Sequence, residues 1–299
     1  MMKVPEFLKK GDKVGIVAPA SSIPNKLTDA VDLLESWGLE VVLGESVFSS
    51  FHQFSADDEC RSLDLQRMLD DNSIKAIIAA RGGYGTVRII DKLDFSRFAH
   101  NPKWIVGFSD VTVLHSHIQA LYGIPTIHGQ MPLTIPDATK VSLDTLRRAL
   151  FGEKLFYSYK SKYETIDGTA EGILVGGNLS ILISIANSIS EIDYKDKILF
   201  IEEVGEYYYA VDRMMRMLKR SGKLKDLKGI VVGSFTGMKD KSPGFGYSVP
   251  DIVFDLVKEY GYPVATDFPA GHIENNKSIV FGKTVALEVN GKNVILNYL

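Results

Sequence analysis

Cysteine is almost absent from this sequence, and long apolar runs are missing altogether. The single cysteine, Cys60, excludes an intrachain disulfide and fits a reducing compartment. The longest apolar candidate, residues 173–186, is interrupted by Gly176 and Gly177 and falls short of the roughly 18–20 residues that span a bilayer. No apolar segment of the signal-peptide kind is visible near the N-terminus. We therefore expect a cytoplasmic protein with no membrane partner.

An excess of positive charge is also lacking. Lys and Arg number 34 against 37 Asp and Glu, for a net charge of −3, so nothing favours nucleic acid as a partner. The six histidines show no grouping with the spacing of metal ligands, since His115 and His117 point to different faces of a predicted helix. The composition is otherwise that of an ordinary globular chain of one large or two average domains.

Short apolar segments alternate with helical patterns in the first half of the chain. The predicted strands are residues 13–18, 40–43, 75–80 and 104–106, and the predicted helices are residues 28–37, 57–69, 86–93 and 111–121. This alternation predicts a parallel sheet covered on both faces. Such sheets carry their sites beyond the carboxyl ends of the strands. We therefore expect the chemistry in the loops after Ala18, Ala80 and Val106.

The character of the chain changes between residues 134 and 170, where it is polar and rich in turn residues. We expect the domain boundary there, with an N-terminal α/β domain over residues 1–150 and a C-terminal domain over residues 151–299. Further strands are predicted at residues 172–178, 197–201, 229–233, 279–281, 285–289 and 293–296, with helices at residues 179–186 and 209–219. Asn290 and Gly291 join the last two strands, which is a good hairpin signal.

Ser109 follows a predicted strand directly, in the sequence Gly-Phe-Ser-Asp. A strand that turns sharply into a helix lifts a serine hydroxyl clear of the backbone, as in a nucleophile elbow. It also puts the N–H of Asp110 at a helix N-terminus, where it can stabilise an oxyanion. Val111 stands where the common G-x-S-x-G motif has its second glycine. The alternative is that Ser109 or Asp110 only caps the helix.

Three glycines, Gly82, Gly83 and Gly85, follow the next candidate strand and Arg81. Glycine lets a backbone approach a ligand closely, and exposed N–H groups bind phosphates, carboxylates or oxyanions. The segment has neither the lysine of a P-loop nor the spacing of a dinucleotide fingerprint. The alternative is a tight turn without a ligand.

Two later segments carry candidate acid and base groups. Glu202 and Glu203 follow an apolar strand, where a carboxylate is suited to orient an imidazole, although acids before a helix are also favoured by its dipole. His272 lies in a Pro-Ala-Gly-His turn. A loop position suits a base, but an isolated histidine is often structural. Taken singly, none of these segments decides the function.

Several motifs follow one another along almost the whole chain. They are VGIVAPAS (residues 14–21), ARGGYGTVRIID (80–91), IVGFSDVTVLH (105–115), HGQMP (128–132), LVGGNLSIL (174–182), ILFIEEVGEYYYAVDRMMRML (198–218), GSFTG (233–237) and GHIENNKSI (271–279). In sequence and order they resemble the LD-carboxypeptidases, a serine peptidase family that contains muramoyl-tetrapeptide carboxypeptidases and microcin-immunity peptidases.

The resemblance implies a catalytic triad of Ser109, Glu202 and His272, at the positions of the family's nucleophile, acid and base. Glu203, where the family often has Asp, is the alternative acid. The oxyanion hole implied is formed by the N–H groups of Asp110 and Gly83. The fold implied is a flavodoxin-like N-terminal parallel-sheet domain plus a C-terminal α+β domain with a small β-barrel-like sheet. The triad would be divided between the two domains.

The reaction implied is hydrolysis of the L,D amide bond that releases the terminal D-alanine from murein tetrapeptide in cell-wall recycling. The resemblance implies no metal or organic cofactor, and a homodimer. Our hypothesis for the group that binds the terminal carboxylate of the peptide is Arg81. The third residue of the peptide, diaminopimelate or lysine, stays open.

Three other functions are compatible with parts of the sequence. A microcin-immunity peptidase, which cleaves aminoacyl-nucleotide analogues, has the same triad and adds aromatic contacts for the base. Neither Trp37 nor Trp104 is placed for that purpose in the sequence. A nucleotide-dependent oxidoreductase would need the missing dinucleotide fingerprint. A peptide-binding module without catalysis would not need all three triad residues.

Overall fold

The computed structural model describes residues 3–24 and 27–299, which form two β-sheets flanked by helices. Within these residues there are thirteen strands and eight α-helices. The strands are β1 (Lys13–Val17), β2 (Glu40–Leu43), β3 (Ile74–Ala79), β4 (Trp104–Gly107), β5 (Thr126–His128), β6 (Phe156–Lys160), β7 (Gly168–Asn178), β8 (Lys197–Val204), β9 (Gly229–Thr236), β10 (Val264–Ala265), β11 (Ile279–Phe281), β12 (Thr284–Asn290) and β13 (Asn293–Tyr298).

The helices differ greatly in length, and short 3-10 turns connect several elements. The α-helices are α1 (Thr28–Ser36), α2 (Asp58–Asp70), α3 (Ser96–His100), α4 (Thr112–Tyr122), α5 (Lys140–Phe151), α6 (Leu179–Ser184), α7 (Tyr208–Arg220) and α8 (Val249–Val257). The 3-10 turns are Thr86–Arg88, Ile90–Lys92, Ser109–Val111, Pro132–Asp137 and Lys258–Tyr260. In the part of the chain described, no helix has both the length and the apolar character needed to cross a bilayer.

The first sheet has the order β2-β1-β3-β4-β5 with all five strands parallel. This is the order of flavodoxin-like doubly wound sheets, so the predicted N-terminal fold is confirmed. The central strands β3 and β4 are buried along nearly their whole length, as expected for a sheet covered on both faces. A sixth strand, β11, pairs antiparallel with β5. The second half of the sequence thus completes the first sheet.

The second sheet is mixed and has the order β10-β9-β8-β7-β12-β13-β6. Strands β7 to β10 are parallel, whereas β12, β13 and β6 are antiparallel. The predicted hairpin is confirmed, because Asn290 pairs with Asn293 across the turn. The sheet curls in the barrel-like way predicted, so that its two edges approach each other. Val264 of β10 forms an antiparallel bridge with Ile166, just before β7, and the Tyr159 hydroxyl on β6 donates to the Thr266 carbonyl beyond β10, at 2.9 Å.

One apolar core joins the two sheets. Ile78 and Val106 of the first sheet belong to the same cluster of buried side chains as Leu174 and Phe200 of the second. A polar contact joins the sheets as well, where the Asn178 N–H at the end of β7 donates to Thr112 Oγ1 at the start of α4 (3.0 Å). The carboxyl ends of β4 and β7 therefore meet. The domain boundary between residues 150 and 151 stays a prediction.

Two expectations about local structure were wrong. Residues 86–93 form two 3-10 turns rather than one helix. Four of these residues, Thr86, Val87, Ile89 and Ile90, are β-branched and favour helices weakly. Residues 134–170 are not mainly turns, because they include α5, whose Leu146 and Leu150 are buried in the shared core. The polar face of this amphipathic helix hid its pattern.

Candidate active site

Ser109 lies in a strained turn at the carboxyl end of β4. Its φ angle is +63°, in the left-handed region that side chains other than glycine rarely adopt. Such a conformation costs of order 1–3 kcal/mol and persists where the surroundings impose it. Within the described residues the Ser109 side chain makes no capping hydrogen bond to the following helix. The turn therefore presents a hydroxyl that the backbone does not use, as a nucleophile elbow does.

Asp110 fixes the elbow to the glycine loop. The carboxylate is fully buried, and its Oδ2 accepts the Thr86 N–H at 2.8 Å. Burial raises the pKa of Asp110, and the hydrogen bond from Thr86 opposes that shift. The backbone N–H of Asp110 has no protein acceptor among the described residues. It remains available to bind an oxyanion.

The glycine loop approaches Ser109 so closely that a side chain would not fit. A methyl group on Gly82 would lie 2.8 Å from Ser109 Cβ, 2.9 Å from its Oγ and 3.4 Å from the Asp110 nitrogen. Gly83 has a φ angle of +105°, and its N–H has no acceptor in the part of the chain described. The loop is thus a close backbone approach to a hydroxyl, not merely a tight turn.

Glu202 and His272 form a hydrogen-bonded pair. Glu202 Oε2 lies 2.7 Å from His272 Nδ1. The Glu202 side chain is completely buried at the end of β8, whereas the His272 side chain is 20% exposed. Burial lowers the pKa of His272, but the hydrogen bond and negative charge of Glu202 outweigh burial, so the pKa is raised above its ordinary value. Nδ1 faces the carboxylate, which leaves Nε2 as the ring nitrogen able to exchange a proton with a substrate or hydroxyl.

The imidazole also contacts the segment that carries the elbow. The rings of Phe108 and His272 meet edge to face, with centroids 4.9 Å apart. Since Phe108 directly precedes Ser109, the structure brings the nucleophile candidate, the base candidate and Glu202 to one place. Glu202 and His272 come from the second half of the chain and Ser109 from the first.

Glu203 points away from the imidazole and has a different set of partners. Its carboxylate accepts hydrogen bonds from Asn178 Nδ2 (2.9 Å), from the Ser180 N–H (2.8 Å) and from the Val204 N–H (2.9 Å). Burial raises its pKa, and these hydrogen bonds oppose the shift. Successive residues of a strand face opposite sides, so only one of the two glutamates reaches His272. That residue is Glu202.

Sequence reasoning missed Asn276 and His128, which hold the loop of His272. Asn276 Oδ1 accepts the Gly271 N–H at 2.8 Å and lies 3.2 Å from Nε2 of the fully buried His128. Burial lowers the pKa of His128 to about 3, so this ring is neutral. Because the amide oxygen only accepts, His128 carries its proton on Nε2. Both residues lie in motifs that the family resemblance had marked, HGQMP and GHIENNKSI, and those motifs were the available signal.

Arg81 lies beside the glycine loop but is partly engaged. One of its guanidinium nitrogens, Nη1, donates to the Ser22 carbonyl at 2.9 Å, and the side chain is half-buried. Arg81 is not among the described residues that line the two clefts next to His272 and Ile273. Binding of the terminal carboxylate of the peptide by Arg81 therefore stays a prediction.

Two clefts meet at Ile273, the neighbour of His272. The first has a volume of about 750 Å³ and is lined in part by Phe108 and His272. The second, of about 650 Å³, lies at the carboxyl ends of β9 and β10 and is lined in part by tyrosine and lysine side chains. Neither Trp37 nor Trp104 lines these clefts among the described residues.

A serine in an elbow, a carboxylate-bound imidazole and unused backbone N–H groups are the components of a serine hydrolase site. The sequence signature of the LD-carboxypeptidase N-terminal domain matches residues 14–129, and that of the LD-carboxypeptidase C-terminal domain matches residues 171–287. The chain belongs to the LD-carboxypeptidase family, as its motifs predicted.

Relatives match over nearly the full length. The chain is 36% identical to a probable murein peptide carboxypeptidase of Bacillus subtilis strain 168, over 98% of this chain and 93% of that protein. It is 31% identical to a murein tetrapeptide carboxypeptidase of Pseudomonas aeruginosa PAO1, over 93% of this chain and 94% of that protein.

Solved structures share the fold. The muramoyltetrapeptide carboxypeptidase of Oxalobacter formigenes is 30% identical, with a TM-score of 0.87 over 96% of this chain and 98% of its own. The microcin C7 self-immunity protein reaches a TM-score of 0.88 over 99% of this chain and 98% of its own, at 20% identity. At that identity the likeness shows the fold alone.

Proposed function

We propose that this protein is a murein tetrapeptide carboxypeptidase in which Ser109, Glu202 and His272 act as a catalytic triad. The observation that carries the proposal is the 2.7 Å hydrogen bond between Glu202 and His272, beside a strained serine. The full-length relatives named as murein peptide carboxypeptidases supply the substrate class. The bond broken is the amide between an L-configured centre and the terminal D-alanine.

In the first half of the reaction His272 acts as the general base. Nε2 takes the proton of the Ser109 hydroxyl as the oxygen attacks the amide carbonyl. The negative charge that develops on the carbonyl oxygen is stabilised by the N–H groups of Asp110 and Gly83. The imidazolium then gives its proton to the amide nitrogen, so that D-alanine leaves and the rest of the peptide stays esterified to Ser109.

The second half repeats these steps with water. His272 removes a proton from water, which attacks the ester carbonyl, and the tetrahedral intermediate collapses with return of the proton to Ser109. Glu202 holds the imidazole in the tautomer with Nδ1 protonated and stabilises the imidazolium. The products are the tripeptide and D-alanine.

The direct test is incubation with murein tetrapeptide and mass-spectrometric detection of tripeptide and D-alanine. We expect release by the wild type and loss of release in Ser109→Ala, Glu202→Gln and His272→Ala variants. Peptides with diaminopimelate or lysine as third residue are assayed side by side, which determines the preferred form. Failure of the wild type to release D-alanine from either peptide contradicts the proposal.

Arg81 is proposed to bind the terminal carboxylate of the peptide. A guanidinium recognises a carboxylate through two parallel hydrogen bonds, a geometry that lysine cannot reproduce. We expect Arg81→Lys to raise KM more than it lowers kcat. Unchanged kcat and KM in this variant rule out the role.

The alternative substrate is an aminoacyl-nucleotide analogue of the microcin type. Tyr163 and Tyr208 line the second cleft, and tyrosine rings are able to stack on a purine. The same assay with an aminoacyl sulfamoyl adenosine separates the two functions. A kcat/KM higher than that for tetrapeptide favours the alternative.

We further propose that the enzyme works in the cytoplasm as a homodimer, without a nucleic acid or membrane partner. A single cysteine and a net charge of −3 support this setting. Analytical ultracentrifugation at micromolar concentration tests the dimer, and cell fractionation tests the compartment. A monomer, or recovery with the envelope fraction, contradicts the respective proposal.

A further inference from the structure

Lys277 belongs to the same closed loop as His272. The backbone N–H of Lys277 donates to the Pro269 carbonyl at 2.9 Å, and inside this loop the Gly271 N–H is bound by Asn276. The Lys277 side chain lines the second cleft, as does Ile273, the residue after His272. These hydrogen bonds fix the backbone of Lys277 relative to that of His272.

The ammonium of Lys277 has no anionic partner in the part of the chain that the structure describes. No carboxylate lies within 4.0 Å of its Nζ among the described residues, and its one aromatic neighbour is the Tyr157 ring, with the centroid 5.8 Å away. The side chain is half-buried, and burial lowers its pKa. Partial removal of an ammonium from water without a counter-ion is unfavourable, and a cation–π contact compensates only in part.

The other cationic side chains near this part of the molecule differ from Lys277 in their exposure or in their partners. Lys160 and Lys162 are exposed, and the Lys162 ammonium lies 3.9 Å from Asp267 Oδ2. Arg81 lies on the glycine loop, is not among the described residues that line this cleft, and already donates to the Ser22 carbonyl. Among the residues described, Lys277 alone combines partial burial, the lack of a carboxylate partner and a place in the loop of His272.

We propose that Lys277 binds a carboxylate of the peptide substrate and makes the second cleft an anion subsite. The inference rests on the proposed function, because a murein peptide carries carboxylates both at its C-terminus and on its glutamyl residue. A substrate carboxylate supplies the counter-ion that the protein lacks, through a charge-assisted hydrogen bond. Binding of this group orients the peptide for attack at the adjacent centre.

The test measures binding to full-length Ser109→Ala protein by calorimetry, so that turnover is not needed. The ligands are the murein tetrapeptide with lysine as third residue, in which the C-terminal and glutamyl carboxylates are the only ones, its C-terminal amide, and the same peptide with the glutamyl carboxylate amidated. Lys277→Gln and Lys277→Arg are added to the Ser109→Ala background. The matched control is Lys283→Gln, because Lys283 is also half-buried with a pKa lowered by burial but lines a different cavity, next to Trp104.

We expect Lys277→Gln to weaken tetrapeptide binding roughly 10- to 100-fold, the range for a hydrogen bond to a charged group. Lys277→Arg should retain most of the affinity, and Lys283→Gln all of it. One of the two amidated peptides should bind weakly to the Ser109→Ala protein that retains Lys277. Its affinity should not fall further when Lys277→Gln is added. The group amidated in that peptide is the carboxylate that Lys277 binds. Removing Lys277 has no further effect once its partner carboxylate is already removed.

The inference is overturned if Lys277→Gln weakens all three peptides equally, if it leaves tetrapeptide binding unchanged, or if Ser109→Ala binds no tetrapeptide at millimolar concentration. Thermal unfolding of each variant separates loss of the fold from loss of the contact. If Lys277→Gln unfolds, the two amidated peptides carry the test on the Ser109→Ala protein, because unchanged binding of both overturns the inference. D-alanine release by the wild type is scored separately. If Lys277 binds the peptide carboxylate but the wild type releases no D-alanine, the proposed function is contradicted and the anion subsite stands.

Discussion

Glu202 Oε2 lies 2.7 Å from His272 Nδ1, and the glutamate is completely buried while the imidazole edge reaches the cleft. Glu202 comes from the end of β8 and His272 from the loop before β11. The pair therefore exists only when the second sheet and this loop are both in place. This hydrogen bond has a direct consequence for the pH dependence of activity.

His272 must be neutral to accept the serine proton, so kcat/KM should fall as the pH drops through its pKa. Because Glu202 raises that pKa above the ordinary histidine value, we expect the acid limb to lie above pH about 6.5. Glu202→Gln removes the charge, so the limb should move to lower pH and kcat should fall roughly 10³- to 10⁴-fold. A pH–rate profile of both proteins measures this, and an unmoved limb contradicts the assignment of Glu202.

Glu203 should affect stability rather than catalysis. Glu203→Ala leaves the buried Asn178 amide and the Ser180 N–H without their acceptor, which costs about 1–3 kcal/mol for each group left unpaired. We expect a lower free energy of unfolding in urea, with kcat reduced less than tenfold at a temperature where the variant is folded. A loss of kcat as large as that of Glu202→Gln would make Glu203 the catalytic acid instead.

Gly82 should tolerate no side chain. In Gly82→Ala the new methyl would lie within 3 Å of both Ser109 Cβ and Oγ, so the hydroxyl has to move, and a misplacement of about 1 Å costs roughly 10²-fold in rate. Gly244→Ala is the matched control, since that glycine is exposed and its nearest neighbour is the end of the Asp240 side chain. Steady-state kinetics of both variants provide the comparison. Equal activity of the two means that the loop does not approach Ser109 in solution.

Asn276 should act as a positioning residue for His272. Asn276→Leu removes the acceptor of the Gly271 N–H and of the His128 ring, so we expect kcat to fall roughly 10- to 100-fold with little change in KM. Asn276→Asp keeps an oxygen acceptor and adds a negative charge, so it should recover part of kcat and raise the pH of the acid limb. If both variants lose kcat equally with no shift of the limb, Asn276 contributes only to folding.

The sequence predicted the sheet of the first half well, because β3 and β4 are mainly apolar and lead into segments that contain glycine. It did not predict β5, which has only three residues, or α5, whose polar face dominates its composition. Spacing and residue type made Ser109 a candidate. Alone, they could not connect it with Glu202 and His272, because contacts across two sheets leave no local pattern.

The same reason explains why Asn276 and His128 were missed. Their side chains are 148 positions apart in sequence and meet only in the folded chain. The carboxylate of Glu203 looked equivalent to that of Glu202 in sequence, and only the alternation of side chains along β8 separates them. Motif order identified the family, whereas the geometry distinguished the two acids.

The central claim is that Ser109 is the nucleophile activated by the Glu202–His272 pair. Its most direct measurement is labelling with a fluorophosphonate, followed by peptide mapping in the mass spectrometer. The account predicts one modified site, at Ser109, with labelling that is much slower in His272→Ala and Glu202→Gln and is blocked by excess tetrapeptide. Modification of another residue, or an unchanged labelling rate in His272→Ala, would contradict it.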